Sequence, residues 1–181
     1  MAGKIVLVTG GARSGKSTFA EEYAAKNGLR VAYIATAQIY DDEMRERVNL
    51  HQSRRPANWK TFEAPYRADE AMRQAVREAD IVLFDCLTLY TSNLLLAPDA
   101  PQNREERRQV VLGSMDKLLA SAKEGDGDVI FVTNEVGLGI VPDNALAREY
   151  RDIAGLVNQK VAANADEVYL VVCGLAVELK K

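Results

Sequence analysis

The segment Gly10-Gly11-Ala12-Arg13-Ser14-Gly15-Lys16-Ser17 fits the spacing G-x-x-x-x-G-K-[ST] at every position. What flanks it narrows the possible folds. Ile5-Val6-Leu7-Val8 is a continuous apolar, mostly β-branched run that predicts a strand buried on both faces and ending at Thr9-Gly10. From Ser17 to Lys26, apolar Phe19, Ala20, Tyr23 and Ala24 recur at helical spacing, and Asn27-Gly28 reads as the helix stop. A strand, a glycine-rich loop and a helix in that order make a phosphate cradle. The glycines let backbone N–H groups turn inward, and the helix presents its positive end to the same charge. In such a cradle Lys16 reaches the outer phosphates of a nucleoside triphosphate, ATP or GTP, and Ser17 reaches the accompanying Mg²⁺.

The rest of the chain repeats the alternation. Val31 to Ala35, Ile81-Val82-Leu83-Phe84, Val129-Ile130-Phe131-Val132 and Val168 to Val172 predict further strands. Helices are expected at roughly 40–50, 67–79, 104–123 and 144–164, where apolar residues fall three or four apart. Strands alternating with helices predict an α/β fold with a mostly parallel sheet flanked by helices. With 181 residues, of which 48% are hydrophobic, the chain reads as a single domain over 1–181. Ala97-Pro98-Asp99-Ala100-Pro101-Gln102 reads as a surface loop between two helical stretches. Against 26 acidic residues stand 23 basic ones, a net charge of -3, so no global positive field recruits nucleic acid or an anionic membrane. Cys86 and Cys173 lack metal-ligand spacing, which fits a reduced compartment. The first apolar run is too short for a signal peptide or a membrane span, and a cytoplasmic protein is the expectation.

Beyond the loop, three positions invite chemistry. Asp85 ends the run Ile81 to Phe84, where a carboxylate would coordinate Mg²⁺ directly or through water; a polar loop residue or the cap of the next element is the other reading. Asn134-Glu135 follows the strand Val129 to Thr133 in the same topological position, so Glu135 would position a water, a hydroxyl or the metal, or else cap a helix or face solvent. His51 is the single histidine. Alone, at the end of a charged stretch with Arg45 and Arg47, it reads as a solvated surface residue. Arg54 and Arg55 change its setting, because two guanidinium groups three and four residues on can hold phosphate oxygens while an imidazole nitrogen attacks phosphorus. Asp41-Asp42-Glu43 reads as a helix start complementing the dipole, Arg104-Glu105-Glu106-Arg107-Arg108 as a solvated helix face, and Lys180-Lys181 as a frayed end.

Several segments together carry a family resemblance. They are Thr9 to Ser17, Tyr33-Ile34-Ala35-Thr36-Ala37, Asp41-Asp42-Glu43-Met44 with Arg47, and His51 through Arg55-Pro56 to Trp59. Further along come Val132-Thr133-Asn134-Glu135-Val136-Gly137 with Gly139-Ile140-Val141-Pro142, and Tyr150-Arg151-Asp152-Ile153-Ala154-Gly155 with Asn158-Gln159. Over nearly its whole length the chain resembles the bifunctional adenosylcobinamide kinase / adenosylcobinamide-phosphate guanylyltransferases. The resemblance implies a RecA-like P-loop sheet in three layers and two reactions on one corrinoid. A nucleoside triphosphate phosphorylates the aminopropanol hydroxyl of adenosylcobinamide, and GTP then donates GMP to that phosphate through a guanylylated histidine. Here His51 would be that histidine, Lys16 would serve the kinase step, and Gln52, Ser53, Arg54, Arg55 and Glu63 are the candidates around the guanylyl group. The resemblance also implies a homotrimer with active sites near subunit interfaces. From the residues alone, a P-loop kinase of another small metabolite and a nucleotide-dependent switch remain open.

Overall fold

The computed structural model describes residues 3–39, 41–42, 45–46, 48–50 and 55–181. Strands β1 (Ile5–Gly10), β2 (Val31–Ala35), β3 (Lys60–Glu63), β4 (Ile81–Asp85), β5 (Asp128–Asn134), β6 (Glu167–Val172) and β7 (Leu175–Lys180) form one sheet in the order β3-β2-β4-β5-β1-β6-β7. The first six run parallel, and β7 returns antiparallel along β6. Helices are α1 (Lys16–Asn27), α2 (Ala68–Glu78), α3 (Leu87–Leu95), α4 (Arg104–Ala122) and α5 (Ala145–Asn164). Residues 42, 45–46 and 48–50 are helical as well, inside the stretch expected at 40–50.

The strands bury both faces, and the period of two sorts their residues into two cores. Ile5, Leu7, Ile34, Val82, Phe84, Val129 and Phe131 face one side, packed against Met72 of α2, Tyr90 of α3, Met115 of α4 and Val157 of α5. Val6, Val8, Tyr33, Ala35, Leu83, Ile130 and Val132 face the other, where Ala20 and Ala24 bring α1 close to the sheet. Helices on both faces make the three layers. At the end of α1, Gly28 sits so near the sheet that a Cβ there would lie 2.9 Å from Ile81 Cγ1. Its N–H caps Ala24 O at 3.1 Å.

Two strands and one helix go beyond the ranges drawn from sequence. β3 is a mostly exposed edge strand of four residues, and all six residues of β7 are exposed. Neither has a buried apolar run to announce it. Lys180, expected to fray, is paired in β7, and its Nζ donates to Ala162 O in the last turn of α5 and to Ala165 O just after it. The charged start of α4 also departs from a fully solvated face. Arg107 donates through Nε and Nη2 to the two carboxylate oxygens of Glu149 on α5, both at 2.8 Å, and through Nη1 to Pro101 O and Gln102 O. Those two carbonyls belong to the surface loop, so one guanidinium ties it to both helices. The Glu149 side chain is 7% exposed.

The bond to Arg107 holds the Glu149 carboxyl below its usual value of 4.5, against the opposing effect of burial. Because the folded value is the lower one, the pair's stabilisation is present above the unfolded value and is lost as pH falls through the folded one. Arg107→Met should therefore lower the urea midpoint at neutral pH by leaving a buried carboxylate without its partner. The deficit should shrink below about pH 4.5, as checked by urea titrations at a series of pH values.

Candidate functional site

Gly10 closes β1 opposite Asn134, and its carbonyl accepts from Glu135 N–H at 3.1 Å. A Cβ at Gly10 would lie 2.5 Å from Val171 O and 2.6 Å from Ser14 Oγ, which leaves room for glycine alone. The chain then reverses through Arg13 (φ 57°) and Gly15 (φ 95°), both left-handed, with Ser14 N–H donating to Gly11 O at 3.2 Å. Arg13 bears the steric cost of that conformation; Gly15 does not. Helix α1 starts at Lys16 with no side-chain cap, so its first N–H groups face the concave side of the loop, where an anion would lie. The Lys16 ammonium donates to Gly11 O at 3.1 Å, folded back across the loop.

Burial lowers the Lys16 pKa, opposed by the neighbouring Cys86 and Asp85 side chains. Burial in turn pushes the Cys86 thiol up to about 12. Near neutrality Cys86 is therefore uncharged, and Asp85 is the anion that acts on Lys16. The parity of β4 puts Asp85 on the α1 face with Ile81 and Leu83. Its Oδ2 accepts from Tyr33 Oη at 2.9 Å, and burial raises the Tyr33 pKa so that the phenol stays a donor. The Arg55 guanidinium lies 3.7 Å from the centroid of the Tyr33 ring, within cation–π range. The cap of α3 is Cys86, so capping does not account for Asp85.

The strand register places the other candidates. Glu63, Ala35 and Asp85 stand in one row across β3, β2 and β4. At about 4.8 Å per strand, Glu63 is roughly 10 Å from Asp85 and roughly 19 Å from β1. Lys16, Asp85 and Arg55 thus form a chain of neighbours through Tyr33, while Glu63 stands apart and exposed at the edge. Arg55, Pro56 and Trp59 also line an open groove of about 480 Å³ against Thr18, Glu21, Glu22 and Ala25 of α1. His51, Gln52, Ser53 and Arg54 lie outside the described residues. Glu135 turns on its own loop, where its Oε1 accepts from Gly137 N–H at 2.8 Å.

Behind these residues runs a polar network that sequence reading assigned no role. Thr36, fully buried, accepts from Cys86 N–H at 2.8 Å and donates to Cys86 O at 2.9 Å, which fixes the backbone just after Asp85. Asn93 of α3 donates to Thr36 O and Pro65 O. On β5, Asn134 N–H donates to Thr88 Oγ1, and Asn158 of α5 joins Thr133 Oγ1 to Asn134 O. Of these, Thr36 directly follows a buried strand and Asn134 ends one, a local signal, whereas Thr88, Asn93 and Asn158 lie within helices and carry none. Thr36→Val keeps the shape but leaves Cys86 N–H without its acceptor, so it should cost about 1–3 kcal/mol. Thr36→Ser should recover most of that, and urea denaturation of the two variants measures both.

Comparison with known proteins agrees with this geometry. The family model described as cobinamide kinase / cobinamide phosphate guanyltransferase matches residues 6–179. The bifunctional adenosylcobalamin biosynthesis protein CobU of Salmonella typhimurium is 44% identical over 181 residues, covering 97% of this chain and 99% of its own. Its namesake from Escherichia coli is 42% identical with the same coverage. CobP of Pseudomonas aeruginosa, named likewise, is 44% identical over 174 residues, 96% of each chain. Among solved structures, an ATPase of a type III secretion system superposes with a TM-score of 0.62 at 15% identity, over 98% of this chain and 57% of that one. That likeness shows the fold, a mostly parallel sheet with helices on both faces. Matched by the family model from the first strand to the last, and by relatives over almost their entire lengths, this chain belongs to the cobinamide kinase / cobinamide phosphate guanyltransferase family.

Proposed function

We propose that the chain phosphorylates the aminopropanol hydroxyl of adenosylcobinamide with ATP or GTP, then transfers GMP from GTP to the new phosphate and releases pyrophosphate. The observation that carries this reading is the phosphate cradle with Lys16 and Asp85 on one face of the sheet, in a chain of this family. In the kinase step the inward N–H groups of Gly10 to Ser17 hold the phosphates, and Lys16 neutralises charge on the transferred group. The hydroxyl of Ser17 and the carboxylate of Asp85 are hard oxygen donors of the kind Mg²⁺ takes, and they would hold it. Bound there, Mg²⁺ would neutralise phosphate charge.

In the second reaction a neutral nitrogen of His51 attacks the α-phosphorus of GTP. A P–N bond forms while the bridging P–O bond to the β-phosphate breaks, and pyrophosphate leaves. A phosphate oxygen of the acceptor then attacks the same phosphorus, the P–N bond breaks, and the histidine is restored. Gln52, Ser53, Arg54, Arg55 and Glu63 are assigned to the guanylyl group. The stacking of Arg55 on Tyr33, which is itself bonded to Asp85, supports a physical link between the two reactions. Both are assigned to one unit over 1–181, acting in the cytoplasm as a homotrimer.

Incubation with GTP labelled at the α-phosphate should put acid-labile label on His51, and His51→Ala should take none while keeping kinase turnover; label undiminished in the variant would sink the transferase assignment. Lys16→Met should lower phosphoryl transfer by about 10²-fold or more. It should also raise the melting temperature of the nucleotide-free protein at neutral pH. The folded Lys16 pKa is depressed by burial, so the charged form costs stability below it. The gain should fade as pH rises through that value towards 10.5.

A further inference from the structure

The β6–β7 turn touches the phosphate loop, and nothing in the chemistry above uses it. Val172 pairs with Leu175, so the turn is two residues, Cys173 and Gly174, with φ 53° and 80°. Positive φ at both central positions marks a type I′ turn, in which Asn, Asp or Gly is the usual first residue. A cysteine there bears strain, and strain of this kind persists where the surroundings impose it. The surroundings are the loop itself. Gly174 N–H donates to Ser14 O at 2.8 Å. A Cβ at Gly15 would lie 3.1 Å from Gly174 Cα and 3.8 Å from Val171 Cγ1, and one at Gly10 would strike Val171 O.

A trans peptide points its C=O and the following N–H in opposite directions. When Gly174 holds the Ser14 carbonyl outward, the Gly15 N–H is aimed to the opposite side, into the concavity of the loop. We propose that the Cys173-Gly174 turn is a positioning element for phosphate binding: it sets the Ser14-Gly15 peptide in its anion-binding orientation before nucleotide arrives. This rests on the reading of Gly10 to Ser17 as the phosphate site. Binding then spends less of its free energy on ordering the loop.

The test is a graded series at Gly174. A Cβ there meets nothing within 4 Å, so the substitutions act through backbone conformation and not through collision. Gly174→Asn tolerates left-handed φ and keeps the N–H in place, Gly174→Ala is strained, and Gly174→Val is excluded from that region. Affinity is measured with Mg²⁺ and the β,γ-imido analogue of ATP, then with that of GTP. Gly174→Asn should bind near wild type, Gly174→Ala a few-fold weaker, and Gly174→Val about tenfold weaker, the loss of one hydrogen bond. KM for the nucleotide should rise in the same order while kcat at saturation holds, because bound nucleotide reorders the loop; a merely structural turn would not split the two. If Gly174→Val does not fold, the Asn and Ala variants carry the comparison. Equal affinity across the variants, another order, or a fall in kcat without one in affinity overturns the inference. Failure of the wild-type chain to bind either analogue would instead overturn the phosphate-site reading.

Discussion

The site depends first on β1 being paired along both edges, with β5 on one side and β6 on the other. A strand held this way cannot slide, so Gly10 emerges at a fixed height opposite Asn134, and the loop that follows turns against two neighbours at once. One neighbour is the end of β5, through Glu135 N–H on Gly10 O; the other is the end of β6 and its turn, through Gly174 N–H on Ser14 O. The loop's own bonds are few. Its shape is set by the strands around it, which is what preorganised anion binding requires.

The alternation of side chains then decides which groups meet. Tyr33, Asp85 and the start of α1 share one face, and Arg55 reaches that face by lying on the Tyr33 ring. Had β4 been shifted by one residue, Asp85 would point among the helices α2 to α5 and Phe84 towards Lys16. The electrostatics follow from the same packing. Lys16 is desolvated by the closeness of α1 to the sheet, Asp85 offsets part of that cost, and Cys86 is buried too deeply to ionise near neutrality. Thr36, Asn93 and Asn158 hold the strand ends in place behind them with buried hydrogen bonds, which are costly to leave unmade.

Much of the fold was readable because the central strands are continuous apolar runs and the helices carry apolar stripes. Those features are local, and β1, β2, β4, β5 and β6 fall where the runs fall. The edges were not readable. Lys60–Glu63 and Leu175–Lys180 are exposed, so they lack a burial signature, and they become strands by pairing with β2 and β6. Arg107 looked like one charge among several at the start of α4. Its burial comes from Glu149, which is 42 residues away in sequence.

By itself the sequence determined the phosphate loop, its strand and helix, the alternation that makes a parallel sheet, and the segments that carry the family likeness, because each is written in neighbouring residues. Tertiary structure decided the strand order, and with it the distances between candidates. It put Asp85 two strands from β1 and Glu63 four, joined Arg55 to Asp85 through Tyr33, and laid the Cys173-Gly174 turn against Ser14 and Gly15. The physical reason is separation along the chain. Contacts between residues 22 to 160 positions apart arise when the whole sheet assembles, and no local pattern encodes them.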